Sequence, residues 1–424
     1  MKNKILILGI AISLSLFSCE KNKDKQGEVE KFSAEEVLRW NEIAFNAFGG
    51  ATYQDVLMAA RINTMVHLAM HDALNAIQPM YERYAFNGQD DSANPIAAAA
   101  VAAHEVLVHE IPAKKSFLDS ALSASLATVA NGAAKDHGIQ LGKSVAISII
   151  ANRVNDGSVG DIVGIIPPSA TPGVYQTVPP FTFAFAPHWQ NLKLFGLQTK
   201  DQFRSVPPPA LTSEAYAAGY NEVKEVGKLN SATRTQEQSF YAKFWYEGSE
   251  AGWNRIARVV TVQKKLNLLD AARLFALVDM AISDSYVAGW DSKYHYNFWR
   301  PFTAIRGAAI DGNDNTAADV QWESSEITPP VPDYPSTHSA LGNAGATVLA
   351  RILGDNTNFT FTSFTSVPPT ATRSFSSFSQ AANENADSRV MAGIHFRFSC
   401  KAGQALGTNV GNWIVDHHLK PLQK

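Results

Sequence analysis

The stretch Lys293-Tyr294-His295-Tyr296-Asn297-Phe298-Trp299-Arg300-Pro301 sets two cations seven residues apart in aromatic company. Seven residues of α-helix turn through about 700°, close to two whole turns, so Lys293 and Arg300 are expected on one face, able to address one anion together. Either cation alone reads as a solvated surface charge. Held beside Trp299 and Pro301, the pair reads as aimed at something.

Two later stretches extend that reading. Pro335-Ser336-Thr337-His338 precedes an Ala/Gly/Leu-rich run to Leu353 and predicts a helix start. The N–H groups of Ser336, Thr337 and His338 should project from its positive end, where an oxyanion sits readily. His338 is placed to act as acid or base on a bound oxygen. Ser388-Arg389-Val390-Met391-Ala392-Gly393-Ile394-His395 sets Arg389 and His395 six residues apart, about 120° out of line on a continuous helix. Gly393 can break that helix and turn both to one point. Three cations, a hydroxyl and two imidazoles make the inventory of an oxyanion pocket with a nucleophile or metal ligand attached.

Outward from these stretches the chain reads as mainly α, two bundle-like halves sharing one core. Ser33 reads as the N-cap of a first helix with Glu36 three residues on. Apolar residues at helical spacing from Tyr53 to Ile77, and Ala-rich stretches at 95–108, 116–130 and 141–154, predict an N-terminal bundle over about 33–160. Prolines 167, 168, 172, 179, 180, 187 and 207 to 209 make about 165–210 an ordered crossover, either walling a pocket or joining the halves. Helical periodicity then returns at 213–228, 232–246, 254–266, 270–290, 336–353, 377–392 and 395–417, within a C-terminal bundle over about 211–424 that holds the three stretches; 360–372 reads as a loop or short hairpin.

With 46% hydrophobic and 18% charged residues among 424, a sizeable core is expected. A net charge of -3 and no Lys/Arg run set nucleic-acid binding aside. Lys2 and Lys4 precede an apolar run from Ile5 to Phe17, too short to span a bilayer comfortably. With Ser18, Cys19 and the polar stretch from Glu20 to Lys25, it resembles a bacterial lipoprotein signal: 1–18 removed, Cys19 lipidated, 19–32 a tether, and 33–424 an exported domain anchored to the cell envelope. Cys400 is the one other cysteine and reads as a small buried hydrophobe. His67 and His71, i and i+4 beside Asp72, have a zinc-like spacing but read as a packed helix, His417-His418 as a solvated helix end, and His295 as facing away from Lys293.

The pattern KxxxxxxRP, PSxH and SRxxxxxH, carried by Lys293 to Pro301, Pro335 to His338 and Ser388 to His395, resembles the type 2 phosphatidic acid phosphatase superfamily. The flanks Trp290-Asp291-Ser292-Lys293, Phe298-Trp299-Arg300-Pro301 and Gly393-Ile394-His395-Phe396-Arg397-Phe398 are similar to its vanadium-dependent haloperoxidase branch, as are His67 to Ile77 and Pro179 to Trp189. The resemblance spans about 35–420 and implies vanadate as cofactor and oxidation of halide by hydrogen peroxide to hypohalous acid. It implies that Lys293 polarises bound peroxide, that Lys293, Arg300, Ser336, Thr337 and Arg389 hold the oxyanion oxygens, that His338 is the acid/base and that His395 is the axial ligand to vanadium. Because vanadate resembles the transition state of phosphoryl transfer, the same cage suits an acid phosphatase working through a phosphohistidine at His395. A non-catalytic oxyanion-binding envelope protein is the third reading. The lack of further apolar runs of transmembrane length argues against the membrane-embedded lipid phosphatases.

This sequence departs from the family pattern at three places. Thr337 stands where Gly is usual, which is expected to penalise a positive φ. Ser399 stands where an Asp often follows the last His by four residues, leaving orientation of His395 to a hydroxyl. Val331 stands where an aromatic or a histidine lies near the halide, so the halide is not legible.

Overall fold

The computed structural model describes residues 29–423, so the expected signal segment 1–18, Cys19 and the tether up to residue 28 lie outside the described residues. Helices α1 (Glu35–Phe48), α2 (Val56–Ile77), α3 (Pro95–Glu110), α4 (Lys115–Ala127) and α5 (Ala133–Asn152) form the first half. The second half holds α6 (Glu214–Val226), α7 (Gln236–Phe244), α8 (Ser249–Lys264), α9 (Leu268–Tyr296), α10 (Pro301–Gly307), α11 (Thr337–Leu353), α12 (Phe378–Met391) and α13 (Arg397–His417). The Thr/Ser/Pro-rich segment is a hairpin of β3 (Phe359–Thr362) and β4 (Thr372–Phe375), antiparallel with Phe359 opposite Phe375. Among the described residues no single helix is long and apolar enough to cross a membrane.

One apolar core runs through both halves, taking Met65 and Leu74 from α2, Leu274 and Leu277 from α9, Leu341 and Leu349 from α11 and Val410 from α13. Helix α9, 29 residues and about 44 Å long, is its axis. It packs on α2, α11 and α13. A buried polar seam fixes the α2–α9 register: His67 Nδ1 lies 2.6 Å from Asp279 Oδ2, and Asn254 Nδ2 donates to Asp279 Oδ1 at 2.7 Å. His71 instead meets the Glu82 carbonyl oxygen at 3.1 Å, so the two histidines face different partners and share no centre.

Helix α13 reaches α11 through a track of glycines. A Cβ at Gly407 would overlap the Ala340 carbonyl, one at Gly403 the Ser336 carbonyl, and one at Gly411 would lie 2.9 Å from Ala344 O. Side chains larger than hydrogen would hold these helices apart and displace the start of α11.

Three local expectations need correction. Ser33 does not cap α1: the N-cap is Ala34 with no side-chain bond, and Ser33 instead pairs with Asn267 in an isolated bridge. Lys293 and Arg300 do not share a helix: α9 ends at Tyr296, Asn297 turns left-handed (φ 46°), and Arg300 is the N-cap of α10 because Pro301 opens that helix. His417 is exposed and stacked on Trp413, but His418 is half-buried with Nε2 2.8 Å from the Gly196 carbonyl oxygen.

The Pro-rich crossover is pinned rather than loose. It carries the two-residue strands β1 (Val163–Gly164) and β2 (Ala184–Phe185). Tyr175 N–H donates to Asn297 O (2.8 Å), Trp299 N–H to Gly173 O (2.9 Å) and Phe185 N–H to Pro330 O (2.7 Å). Tyr334 O–H donates to Val206 O at 2.6 Å. The crossover therefore braces both the turn at 297–299 and the loop at 330–334.

Candidate active site

The α9–α10 corner, the loop before α11, the end of α12 and the start of α13 meet at one buried point. Lys293 leaves the last turn of α9 and is fully buried, its Nζ donating to the carbonyls of Pro332 (2.7 Å) and Asp333 (2.9 Å). Arg300 donates from Nε to Val331 O (2.8 Å) and from Nη1 to Ile394 O (2.7 Å). The two cations thus converge on one loop from opposite sides of a tight corner, not from one helix face.

Arg389, in the last turn of α12, donates from Nη1 to Trp245 O (3.1 Å), and its guanidinium lies 5.4 Å from the centre of the Tyr246 ring. Helix α12 ends at Met391, and Gly393 with φ 78° turns the chain so that His395 joins the same point, as its position in the sequence predicts. His395 Nε2 lies 3.0 Å from Arg300 Nη1. The same Nη1 lies 3.4 Å from Nδ1, and because a guanidinium only donates, the nearer Nε2 is assigned as the accepting nitrogen. Its Nδ1 stands 2.8 Å from Asp333 Oδ1.

Ser336 is the N-cap of α11, Thr337 its first residue and His338 its second. The Ser336 N–H is not an oxyanion donor, because it donates to Ser399 O at 2.9 Å. The open N–H groups of the first turn begin at Thr337. Thr337 is absent from the positive-φ residues, so the penalty expected for a residue other than Gly does not arise. Ser336 Oγ accepts from Ser339 Oγ at 3.0 Å, which leaves its own proton to donate. His338, half-buried, lies with Nε2 3.0 Å from the Glu247 carbonyl. That acceptor requires the proton on Nε2 and leaves Nδ1 as the basic atom.

The electrostatics follow from burial. Burial, then neighbouring Arg300, holds Lys293 well below the usual lysine range. Burial pushes Arg389 down to about 10. His395 is held well below the usual imidazole range by burial and by Arg300, Lys293, Arg389 and His338, so it is neutral. His338 is lowered likewise, by burial and then Arg389. Burial raises Asp333 to about 6, with Arg300, Ser399 and Lys293 opposing it. These mutual influences show that Lys293, Arg300, Arg389, His338 and His395 share one site.

Asp333 is the functional-site residue that motif reading misses. Its signal was present: it is the one acidic residue between Glu326 and Asp355, set among Pro329, Pro330, Pro332 and Pro335. Among the described residues it is also the one carboxylate within ion-pair distance of any of the three cations, 3.9 Å from Arg300 Nη1. Three buried cations against one carboxylate leave an excess of positive charge that a dianionic oxyanion neutralises. Arg389 Nε is buried without a protein partner, and an oxyanion oxygen is the acceptor it suits. A neutral imidazole whose accepting Nε2 is in the same cluster completes a donor set that fits vanadate or phosphate.

Known proteins resemble this chain in sequence and in fold. A family model described as the VCPO second helical-bundle domain matches residues 273–424, the segment that holds Lys293, Arg300, Asp333, Ser336, His338, Arg389 and His395. The vanadium chloroperoxidase of Curvularia inaequalis is 25% identical over 407 residues, a match that takes in 76% of this chain and 66% of that protein, just short of two thirds of its length. A crystal structure of a bacterial vanadium-dependent iodoperoxidase superposes with TM-score 0.80 at 26% identity, covering 93% of this chain and 99% of that one. A holo-type bacterial vanadium-dependent chloroperoxidase, 17% identical, superposes with TM-score 0.72 over 92% and 98% of the two chains and shows the shared fold.

Proposed function

We propose that this chain, a member of the vanadium-dependent haloperoxidase family, oxidises halide with hydrogen peroxide to hypohalous acid at vanadate held by His395. The observation that carries the reading is the cluster of three buried cations around a neutral imidazole whose accepting Nε2 is turned away from Asp333.

The chemistry supplied by bound vanadate is that of a Lewis acid, making a peroxide oxygen electrophilic toward halide without change of oxidation state. His395 Nε2 would be the ligating atom, on a ring kept neutral by burial and the surrounding cations. Arg300 and Arg389 hold the oxyanion through N–H groups not taken up by carbonyls, and Ser336 adds its hydroxyl and Thr337 its backbone N–H. Lys293 has two of its three donors committed to Pro332 and Asp333, so one remains to polarise an oxygen of the bound substrate. His338 Nδ1, left basic by the bond from Nε2 to the Glu247 carbonyl, would accept and return a proton as acid/base. Burial of all three cations excludes water and strengthens each contact.

The test is halide oxidation by the form lacking residues 1–19, with iodide, bromide and chloride supplied separately, hydrogen peroxide present, and orthovanadate added or withheld. Vanadate-dependent turnover, lost when phosphate competes, is expected; no turnover with any halide would overturn the reading. His395→Ala should abolish both vanadate retention and turnover. The lipid anchor is proposed on the order Lys2, Lys4, apolar run, Ser18, Cys19. Mass spectrometry of the mature N-terminus checks it: diacylglyceryl at Cys19 is expected, and an unmodified N-terminus would refute it.

A further inference from the structure

We infer that Asp333 is the positioning residue of the site, a carboxylate brought from the loop before α11 to fix the ring of His395, with Ser399 as its clamp. The inference rests on the reading of His395 as the ligand, and it begins from where the hydroxyl of Ser399 goes. Ser399 Oγ does not turn to the imidazole; it donates to Asp333 Oδ2. The other carboxylate oxygen, Oδ1, stands 2.8 Å from His395 Nδ1, against 3.9 Å from Arg300 Nη1. The carboxylate is thus closer to the imidazole than to the nearest guanidinium, which sets it apart from a simple counter-ion.

Asp333 is well placed to hold such a position. Its N–H donates to Phe298 O at 2.9 Å and its carbonyl accepts from Lys293 Nζ at 2.9 Å. Both backbone groups are therefore fixed by the corner that also carries Arg300. The side chain is fully buried, and Ser399, also fully buried, meets one of its oxygens. With Nδ1 the ring nitrogen nearest Asp333 Oδ1 and Nε2 the one nearer Arg300 Nη1 (3.0 Å against 3.4 Å), rotation of the ring about its own axis would break the contact with the carboxylate, whose Oδ1 has no other hydrogen-bond partner. One residue thereby ties Lys293, through its carbonyl, and His395, through its carboxylate, into one frame.

The geometry predicts that the carboxylate can be moved. Because Ser399 Oγ is already at Asp333 Oδ2, an aspartate at 399 extends its carboxylate into the space that Asp333→Ala vacates. The experiment compares the whole chain without residues 1–19, Asp333→Ala, Asp333→Leu and the double variant Asp333→Ala/Ser399→Asp by two measurements. The first, on vanadate-free protein with 15N-labelled histidine, reads which ring nitrogen of His395 carries the proton. The second is titration with orthovanadate and, separately, with inorganic phosphate, which uses the cations but makes no bond to an imidazole on binding. Wild type is expected to show a single Nδ1–H tautomer. Asp333→Ala should lose it, with vanadate affinity falling about 10- to 100-fold and phosphate affinity changing much less. The double variant should regain the tautomer and come within a few-fold of wild type for vanadate. An unchanged tautomer in Asp333→Ala, or an equal loss of both anions that the double variant does not repair, would overturn the inference. Should Asp333→Ala not fold, Asp333→Leu, which is close in size and offers no acceptor to Nδ1–H, must show the same tautomer loss. The tautomer is read without vanadate, so loss of vanadate binding in His395→Ala tests the ligand reading separately.

Discussion

Arg389 has the fewest protein partners of the three cations: one bond to the Trp245 carbonyl, the Tyr246 ring beneath it, and a buried Nε with none. Its planar fork is what the pocket holds in reserve for an oxyanion. Arg389→Lys replaces the fork with a point charge and should weaken vanadate binding at least tenfold, about 1.4 kcal/mol, in a direct titration. Lys293, Arg300, Arg389, His338 and His395 were legible together rather than singly, because three stretches carry them in a fixed order and spacing. Asp333 was not, since its importance arises only when two loops distant in sequence are folded against each other. Thr337 was over-read for the opposite reason: the expected strain presumed a backbone angle that α11 does not use there.

Elements were legible where periodicity is long and blurred where it breaks. Helices α2, α11, α12 and α13 stand within a few residues of their expected spans, because their sequences carry helical periodicity over long stretches. The α9–α10 corner was read as one helix, since seven-residue spacing looks identical whether the chain continues or turns sharply at Asn297. The α11–α13 contact makes a prediction at this scale. Gly407→Ala drives a methyl into the Ala340 carbonyl and should destabilise the protein by about 1–3 kcal/mol while weakening vanadate binding, because Ala340 lies in the first turn of α11, which Thr337 opens and Ser336 caps. Gly289→Ala, in α9 where a Cβ meets nothing within 4 Å, should leave stability unchanged or raise it by about 0.4–1 kcal/mol. Thermal melts of the two variants, with a vanadate titration of each, check both signs.

For the whole molecule, an anion that binds the native cations and not the unfolded chain must stabilise the fold. Orthovanadate or phosphate at about 100 times its dissociation constant should add about 2.7 kcal/mol, seen as a rise in Tm that Arg389→Ala reduces. Acidity acts through a second buried group. Glu250, at the start of α8, takes the hydroxyls of Tyr53 and Tyr286 and is raised by burial from 4.5 to about 7. A carboxyl raised in the folded state contributes stability that is full below its unfolded value and fades as pH climbs through the folded one. Stability should therefore decline between about pH 4.5 and 7, by a few kcal/mol at most, with Asp333 adding to the lower part of that window. Glu250→Gln should flatten the decline in a pH series of thermal melts; an unaltered slope would show that Glu250 does not set it.

Cys400, one turn into α13, is 1% exposed, and burial pushes its thiol up to about 12. A thiol attacked by oxidants reacts chiefly as the thiolate. On the function proposed above, the product would be hypohalous acid and the protein its own nearest target, with a working lifetime set by which side chains that product reaches before it escapes. The same close packing that seats the cations keeps this thiol protonated and covered, so self-inactivation should begin elsewhere, at exposed side chains, and Cys400→Ser should not lengthen the life of the enzyme in turnover.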